Sequence, residues 1–350
     1  MRAPGAKLTV YFSERARIAD VFLADRLIDV YARHRIHTSV LVRGADGFGT
    51  HHRLHTDRLL SASENLPAVS IAIDTSERIE AARNEVETVA AGAGLITLER
   101  ALLVDGAELE RLDLTQLEHA ADASAPVKLT LYGGRRIRAQ GQAGYVTALD
   151  HLAAAGAAGA SILLAVDGTL HGQRRRARFF ARNGDVPLML IAIGGAAVLT
   201  AALPQLAGLL DTPVATVERV QLVRAPGRVG REPIGVPSHD DTGRVNWQKL
   251  TVHVREDAAH DGRPIHSALV LGLREAGLAG LTTLRGIRGF YGDRPPFADR
   301  MLSLRRGAPV LVVAIDTPKR MQDCWPLISG VTAEHGLVTS ELVPTSFTAR

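Results

Sequence analysis

Two segments carry residue types that hold an anion: Val42-Arg43-Gly44-Ala45-Asp46-Gly47-Phe48-Gly49 and Leu284-Arg285-Gly286-Ile287-Arg288-Gly289-Phe290-Tyr291-Gly292. Each places an arginine at the end of a β-type run and then glycines three residues apart. Such glycines permit positive φ and close approach of a second backbone or a ligand. Exposed N–H groups in a turn of this kind can cradle an anion, and a guanidinium beside them pairs with phosphate. The plain alternative is a tight turn leaving the sheet edge. The candidate ligand-binding residues are therefore Arg43, Gly44, Gly47, Phe48, Gly49, Arg285, Gly286, Gly289 and Phe290. Neither segment is a dinucleotide fingerprint, because the strand–turn–helix order is missing, and no Gly-Lys-Ser/Thr follows to make a P-loop.

A long polar loop, about residues 50–65, follows the first segment and carries His51, His52, Arg53 and His55. The equivalent loops carry Arg174, Arg175, Arg176 and Arg178, and then Asp293 and Arg294. Loops of this length between adjacent strands are commonly functional, so these are candidate partner-contact loops, with the arginine run able to meet a phosphate or an acidic partner. The histidine spacing would admit a metal, but no carboxylate or cysteine completes a signature, and a solvated basic loop is the expectation; no metal or cofactor is expected. His55 and Asp57 are the nearest thing to an acid/base pair, and nothing like them recurs elsewhere, so no catalytic residue is assigned and an enzyme is not expected. Cys324, beside Trp325, reads as packing.

The elements positioning these residues come in three copies. Lys7-Leu8-Thr9-Val10-Tyr11, Lys128-Leu129-Thr130-Leu131-Tyr132 and Lys249-Leu250-Thr251-Val252-His253 lie 121 residues apart. At matching offsets come Gly44, Ala165 and Gly286, then Gly47, Gly168 and Gly289, then Pro67, Pro187 and Pro309, each before an apolar run. Such self-similarity is the signature of tandem modules. In copy one, strand pattern covers 8–12, 39–43, 69–73 and 95–103, and helical three- and four-residue spacing covers 18–34 and 77–91. Copy two has helices near 144–155 and 196–210; copy three has one near 264–276 ending at Gly277 and a second capped by Thr317 with Pro318 in its first turn. The order βαββαβ is the ferredoxin-like arrangement. The expected class is α+β, with three tandem domains at 1–120, 121–230 and 240–350, the second degenerate. Residues 121–126 and 225–242 are the expected joints, the latter the more flexible, and 108–118 an acidic extension of copy one.

Composition agrees: 46% apolar and 22% charged residues describe a folded chain. One cysteine excludes an internal disulfide, and no signal-like leader or transmembrane run is evident, so the cytoplasm is the expected compartment. A net charge of +4 does not demand nucleic acid, and the strands offer no repeated aromatic pair for stacking bases, so none is expected.

Copies one and three resemble the DUF190 family of PII-like proteins. The resemblance lies in Leu284–Gly292, Arg43–Gly49, Leu54-His55-Thr56, Ser63–Pro67, Gly94–Glu99 and Gly336–Glu341; copy two keeps mainly Asp167-Gly168, Val186-Pro187 and Thr216-Val217-Glu218. It implies the PII fold, a trimeric assembly, a small ligand (often an adenine nucleotide) between subunits, and a loop after the second strand that touches a partner such as a membrane transporter or an enzyme. A trimer of one-domain subunits needs three modules, and this chain supplies three. It is therefore expected to be a monomeric pseudo-trimer with three non-equivalent clefts.

Overall fold

Strict alternation along each first strand decides which way every side chain faces. In the computed structural model, β1 (Arg2–Ser13) turns Ala6, Leu8, Val10 and Phe12 onto helices, while Lys7, Thr9 and Tyr11 face the other way. The structure describes residues 2–49, 55–56, 65–116, 126–178, 183–225, 232–233, 237, 239–240, 243–292, 295–298 and 307–345.

In the first repeat, β1 lies between β3 (Pro67–Thr75) and β4 (Gly94–Asp105), and β3 also pairs with β2 (Thr38–Phe48), every pairing antiparallel. The order across the sheet is β4-β1-β3-β2. The second repeat sets β5 (Pro126–Gly134) between β8 (Leu188–Gly195) and β9 (Asp211–Arg219), with β6 (Gly159–Leu164) beside β8. The third sets β11 (Asn246–Arg255) between β14 (Pro309–Asp316) and β15 (Leu337–Pro344), with β12 (Gly280–Arg285) beside β14. The chain is thus mixed α+β, mostly antiparallel, in three repeats of one plan.

Among the described residues, six α-helices cover one face of the three sheets: α1 (Leu23–Arg33), α2 (Ser76–Ala90), α3 (Gly144–Ala154), α4 (Ala196–Leu206), α5 (Ile265–Glu275) and α6 (Pro318–Val331). Each pair makes its own core. Leu23, Leu27, Ile28 and Tyr31 of α1 pack with Ile79, Ala82 and Val86 of α2 in the first. Cys324 and Trp325 sit in the third, where burial pushes the thiol up. Thr317 accepts from the Arg320 N–H and Gly277 closes α5 at φ 74°, both as read from the residues.

Three elements differ from expectation. The first helix starts at Leu23 rather than at 18, because 17–22 form a two-residue hairpin with positive φ at Ala19 and Asp20, the backbone twist that such a turn requires. The helix after 196 stops at Leu206, close behind its internal Pro204. The stretch 43–48 is not a turn leaving the sheet but the outer half of β2. The acidic extension becomes two 3₁₀ turns whose Leu109, Leu112 and Leu114 enter the core of the second repeat.

The repeats join through strands. Residues 44–48 of β2 pair with β12 of the third repeat; β7 (Asp167–Leu170) pairs with β2 of the first; β13 (Arg288–Tyr291) pairs with β6 of the second. On the opposite edges β4 pairs with β9, β10 (Gln221–Arg224) with β15, and Thr345 bridges back to Thr97. The pairing runs from first to second to third and returns to the first.

Candidate functional site

Because the helices cover one face of each sheet, the other three faces meet one another, and the inward residues of the first strands converge. Lys7, Lys128 and Lys249 come together with Glu99, Glu218 and Glu341 of the fourth strands, each at most 8% exposed. Lys7 Nζ lies 2.8 Å from Glu99 and 2.5 Å from Glu218. Lys128 lies 2.6 Å from Glu218 and pairs with Glu341. Lys249 lies 2.5 Å from Glu341 and 2.6 Å from Glu99. Each lysine thus bridges its own repeat's glutamate and that of the next, and six ion pairs close a neutral ring.

The ring overrides what burial alone would do to its members. Desolvation disfavours the charged lysines, yet Glu218 and Glu99 outweigh it and hold Lys7 well above its ordinary value. Lys128 and Lys249 are raised in the same way, by Glu218 and Glu341 and by Glu341 and Glu99. Burial would raise Glu341, but Lys128 and Lys249 bring it down to about 2; Glu99 is likewise held well below the carboxylate range by Lys249 and Lys7. The three carboxylates offer oxygens within 4.8 Å of one another, the spacing of a cation site. Each is already shared between two ammonium groups, so a cation would be added to three positive charges, and the donor set does not fit one.

Beside the ring lies a cavity of about 70 Å³ lined by the next inward residues: Thr9, Thr130 and Thr251, then Tyr11, Tyr132 and His253, with Thr339 and an apolar collar that includes Ile71, Ile191 and Val313. Tyr11 and Thr251 are half-buried; Tyr132 and His253 are buried. Burial pushes the Tyr11 phenol up to about 12, raises Tyr132, and pushes His253 down to about 4. His253 Nδ1 and Thr339 Oγ1 have no hydrogen-bond partner among the described residues.

The repeated glycines lie at the seams between repeats. A Cβ on Gly47 would stand 2.5 Å from the Leu281 carbonyl, and one on Gly44 2.6 Å from the Pro67 ring and 3.0 Å from the Thr283 carbonyl. At Gly168 the Ser39 carbonyl is 2.2 Å away; at Gly286 and Gly289 the Ile162 and Ala160 carbonyls are 2.7 and 2.8 Å away. The repeated prolines fill the other side: Pro187 at Gly168, Pro309 at Gly286 and Gly289. None of these glycines adopts positive φ. The close approach they permit is that of the neighbouring repeat's strand. Phe48 and Phe290 are buried at the same seams, in the cores of the third and second repeats, while the backbone of Gly49 is open.

The arginines stand at the rim of the seams. Arg43 pairs with Glu14 at 2.8 Å and Arg285 with Glu256 at 2.9 Å, matching pairs in copies one and three. Copy two has Arg135 and Leu164 at those positions. Arg135 instead donates to the carbonyls of Ala165 (2.7 Å) and Pro187 (2.9 Å), and burial brings its guanidinium down to about 10. Arg174 reaches Asp167 and Asp25 of the first repeat, with Arg176 farther out at 3.6–3.7 Å and Arg175 on Gln173. Close by, His37 and His171 face each other across the same seam at 3.0 Å, and burial lowers His37. His55 pairs through its backbone with Gly47. His51, His52, Arg53 and Arg294 lie outside the described residues.

In the sequence the ring lysines stand out only as markers of the repeat. Their signal was present: Lys-x-Thr-x-Tyr/His on each first strand and Thr-x-Glu on each fourth put charges on one face of strands otherwise built for a core. The family model DUF190, described as Uncharacterized ACR, matches the chain three times, over residues 5–103, 126–222 and 247–345.

Proposed function

The chain belongs to the DUF190 family three times over, and from that premise we propose that it is a regulatory binding protein of PII-like type that works as a single-chain pseudo-trimer. The cyclic closure of the strand pairings carries this reading. Each repeat contributes its second strand to one neighbour and its fourth to the other, and the ion ring is complete only when all three are present. The sheet order fourth-first-third-second, with both helices on one face, supports a ferredoxin-like unit. A particle of 37.4 kDa in sedimentation is the expected outcome; a stable species three times heavier overturns the closed monomer.

The proposed ligand is a small anion, an adenine nucleotide being the leading class, held at the seam rims by Arg43 and Arg285. It competes there with Glu14 and Glu256, since the glycines themselves are covered by neighbouring backbone. The half-buried Arg175 and the exposed Arg176 of the second repeat are the proposed contact to a partner such as a transporter or an enzyme. A thermal-shift titration with ATP, ADP and AMP tests this: a rise of several degrees that Arg285→Ala abolishes supports it. The second reading is an interaction module without ligand. It is favoured by the neutralised state of Arg43 and Arg285 and by Leu164 at the matching position, and a flat response to every nucleotide selects it.

A further inference from the structure

We propose that the axial cavity binds a small monovalent anion, of the halide or nitrate class, taken up together with a proton on His253. Apolar side chains make up most of the lining surface, and its polar part consists of donors with Glu99 as the one carboxylate. Each ammonium of the ring has three N–H bonds, of which ring closure uses two; all three lysines line the cavity, with two phenols and the threonine hydroxyls beside them. Buried polar atoms in this wall, among them His253 Nδ1 and Thr339 Oγ1, have no hydrogen-bond partner among the described residues, and a buried orphan of this kind points to an ion or water that completes it. A cavity of about 70 Å³ holds an ion with a little water and excludes a nucleotide, so this site is separate from the seam rims.

The charge balance explains why a proton accompanies the anion. Three lysines and three glutamates cancel, so an anion entering alone would be an uncompensated buried charge. The titratable groups facing His253 are Glu341 and Lys128, nearest in effect, with the rest of the ring and the phenols of Tyr11 and Tyr132 across the cavity. Lys7, Lys128, Lys249, Glu99 and Glu341 are held in their charged forms by one another's charges, and burial keeps the phenols of Tyr11 and Tyr132 protonated. His253 is the lining group left to supply the compensating charge, and it stands where the first two repeats carry tyrosine. Burial keeps it neutral; an anion beside it reverses that balance.

The experiment is a histidine-selective NMR titration of the full chain from pH 8 to pH 5, above the range of acid unfolding, in sodium chloride and in sodium gluconate of equal ionic strength. Gluconate is too large to enter. The His253 signal is identified by its loss in His253→Tyr or, if that variant does not fold, in His253→Gln. The expected result is a His253 signal that titrates within this range in chloride, with bromide acting likewise, and stays neutral down to pH 5 in gluconate. The same His253 curve in the two salts, or a shift shared by all the histidines, overturns the proposal. Neither outcome depends on nucleotide binding at the rims.

Discussion

The ion ring and the arginine rim are built from the same strands, a few residues apart, yet the three repeats treat them differently. At the ring every repeat supplies lysine and glutamate, and the pairs differ by only a few tenths of an ångström. At the rim, copies one and three keep a Glu–Arg pair, while copy two replaces it with Arg135 and Leu164. The difference follows from closure. A ring member is shared by two repeats, and losing it strands a buried charge in both. A rim pair serves one repeat and is only partly buried, so its loss costs less. A buried ion pair adds little net stability over apolar packing, but a broken one is strongly unfavourable; the ring thus penalises any register of the three repeats except the closed one.

That comparison can be broken most decisively at Lys128. Lys128→Met is expected to cost about 3–5 kcal/mol in urea unfolding, and Lys128→Met with Glu341→Met, which restores neutrality, less than the single change. A single variant within 1 kcal/mol of the parent would remove the ring from the account. The ring also sets acid stability. Glu341 titrates near 2 when folded and near 4.3 when unfolded, so its contribution is complete above about pH 4.5 and fades as the pH falls towards 2. Acid unfolding of the parent is expected below pH 4.5, and at higher pH in Lys128→Met.

The seams come next. Gly47→Ala forces a Cβ onto the Leu281 carbonyl and is expected to cost about 1–3 kcal/mol; Gly49→Ala, with open space around it, is expected within about 0.5 kcal/mol. Equal effects would mean that the neighbouring strand does not dock on Gly47. The rim comes last, because it includes the smallest effect expected of a lost contact. Arg135→Ala leaves two carbonyls without their donor and is expected to cost about 1–3 kcal/mol. Arg43→Ala removes the exposed member of a half-buried pair and is expected to cost about 1 kcal/mol. The reverse order, read from thermal melts, would contradict the drift assigned to copy two.

Much of this was legible because it is local or repeated. The three lysine-led strands, the α5 C-cap at Gly277, the Thr317 cap and the α+β order of each module are written in short-range pattern. The 17–22 hairpin was not, because Ala19 and Asp20 adopt positive φ without a glycine to announce it. The glycine segments were recognised as places of close approach, but what approaches them comes from about 120 to 240 residues away in the chain.

By itself the sequence determined that one module is built three times, and which face of each strand is polar, since period-two alternation is a property of the strand alone. Only the tertiary structure decided what the polar faces meet. Lys7 could have faced water or a ligand as readily as Glu218. Covering the opposite faces with helices left the three inner faces to close on one another, and that closure turned three separate lysines and three separate glutamates into one ring beside one cavity.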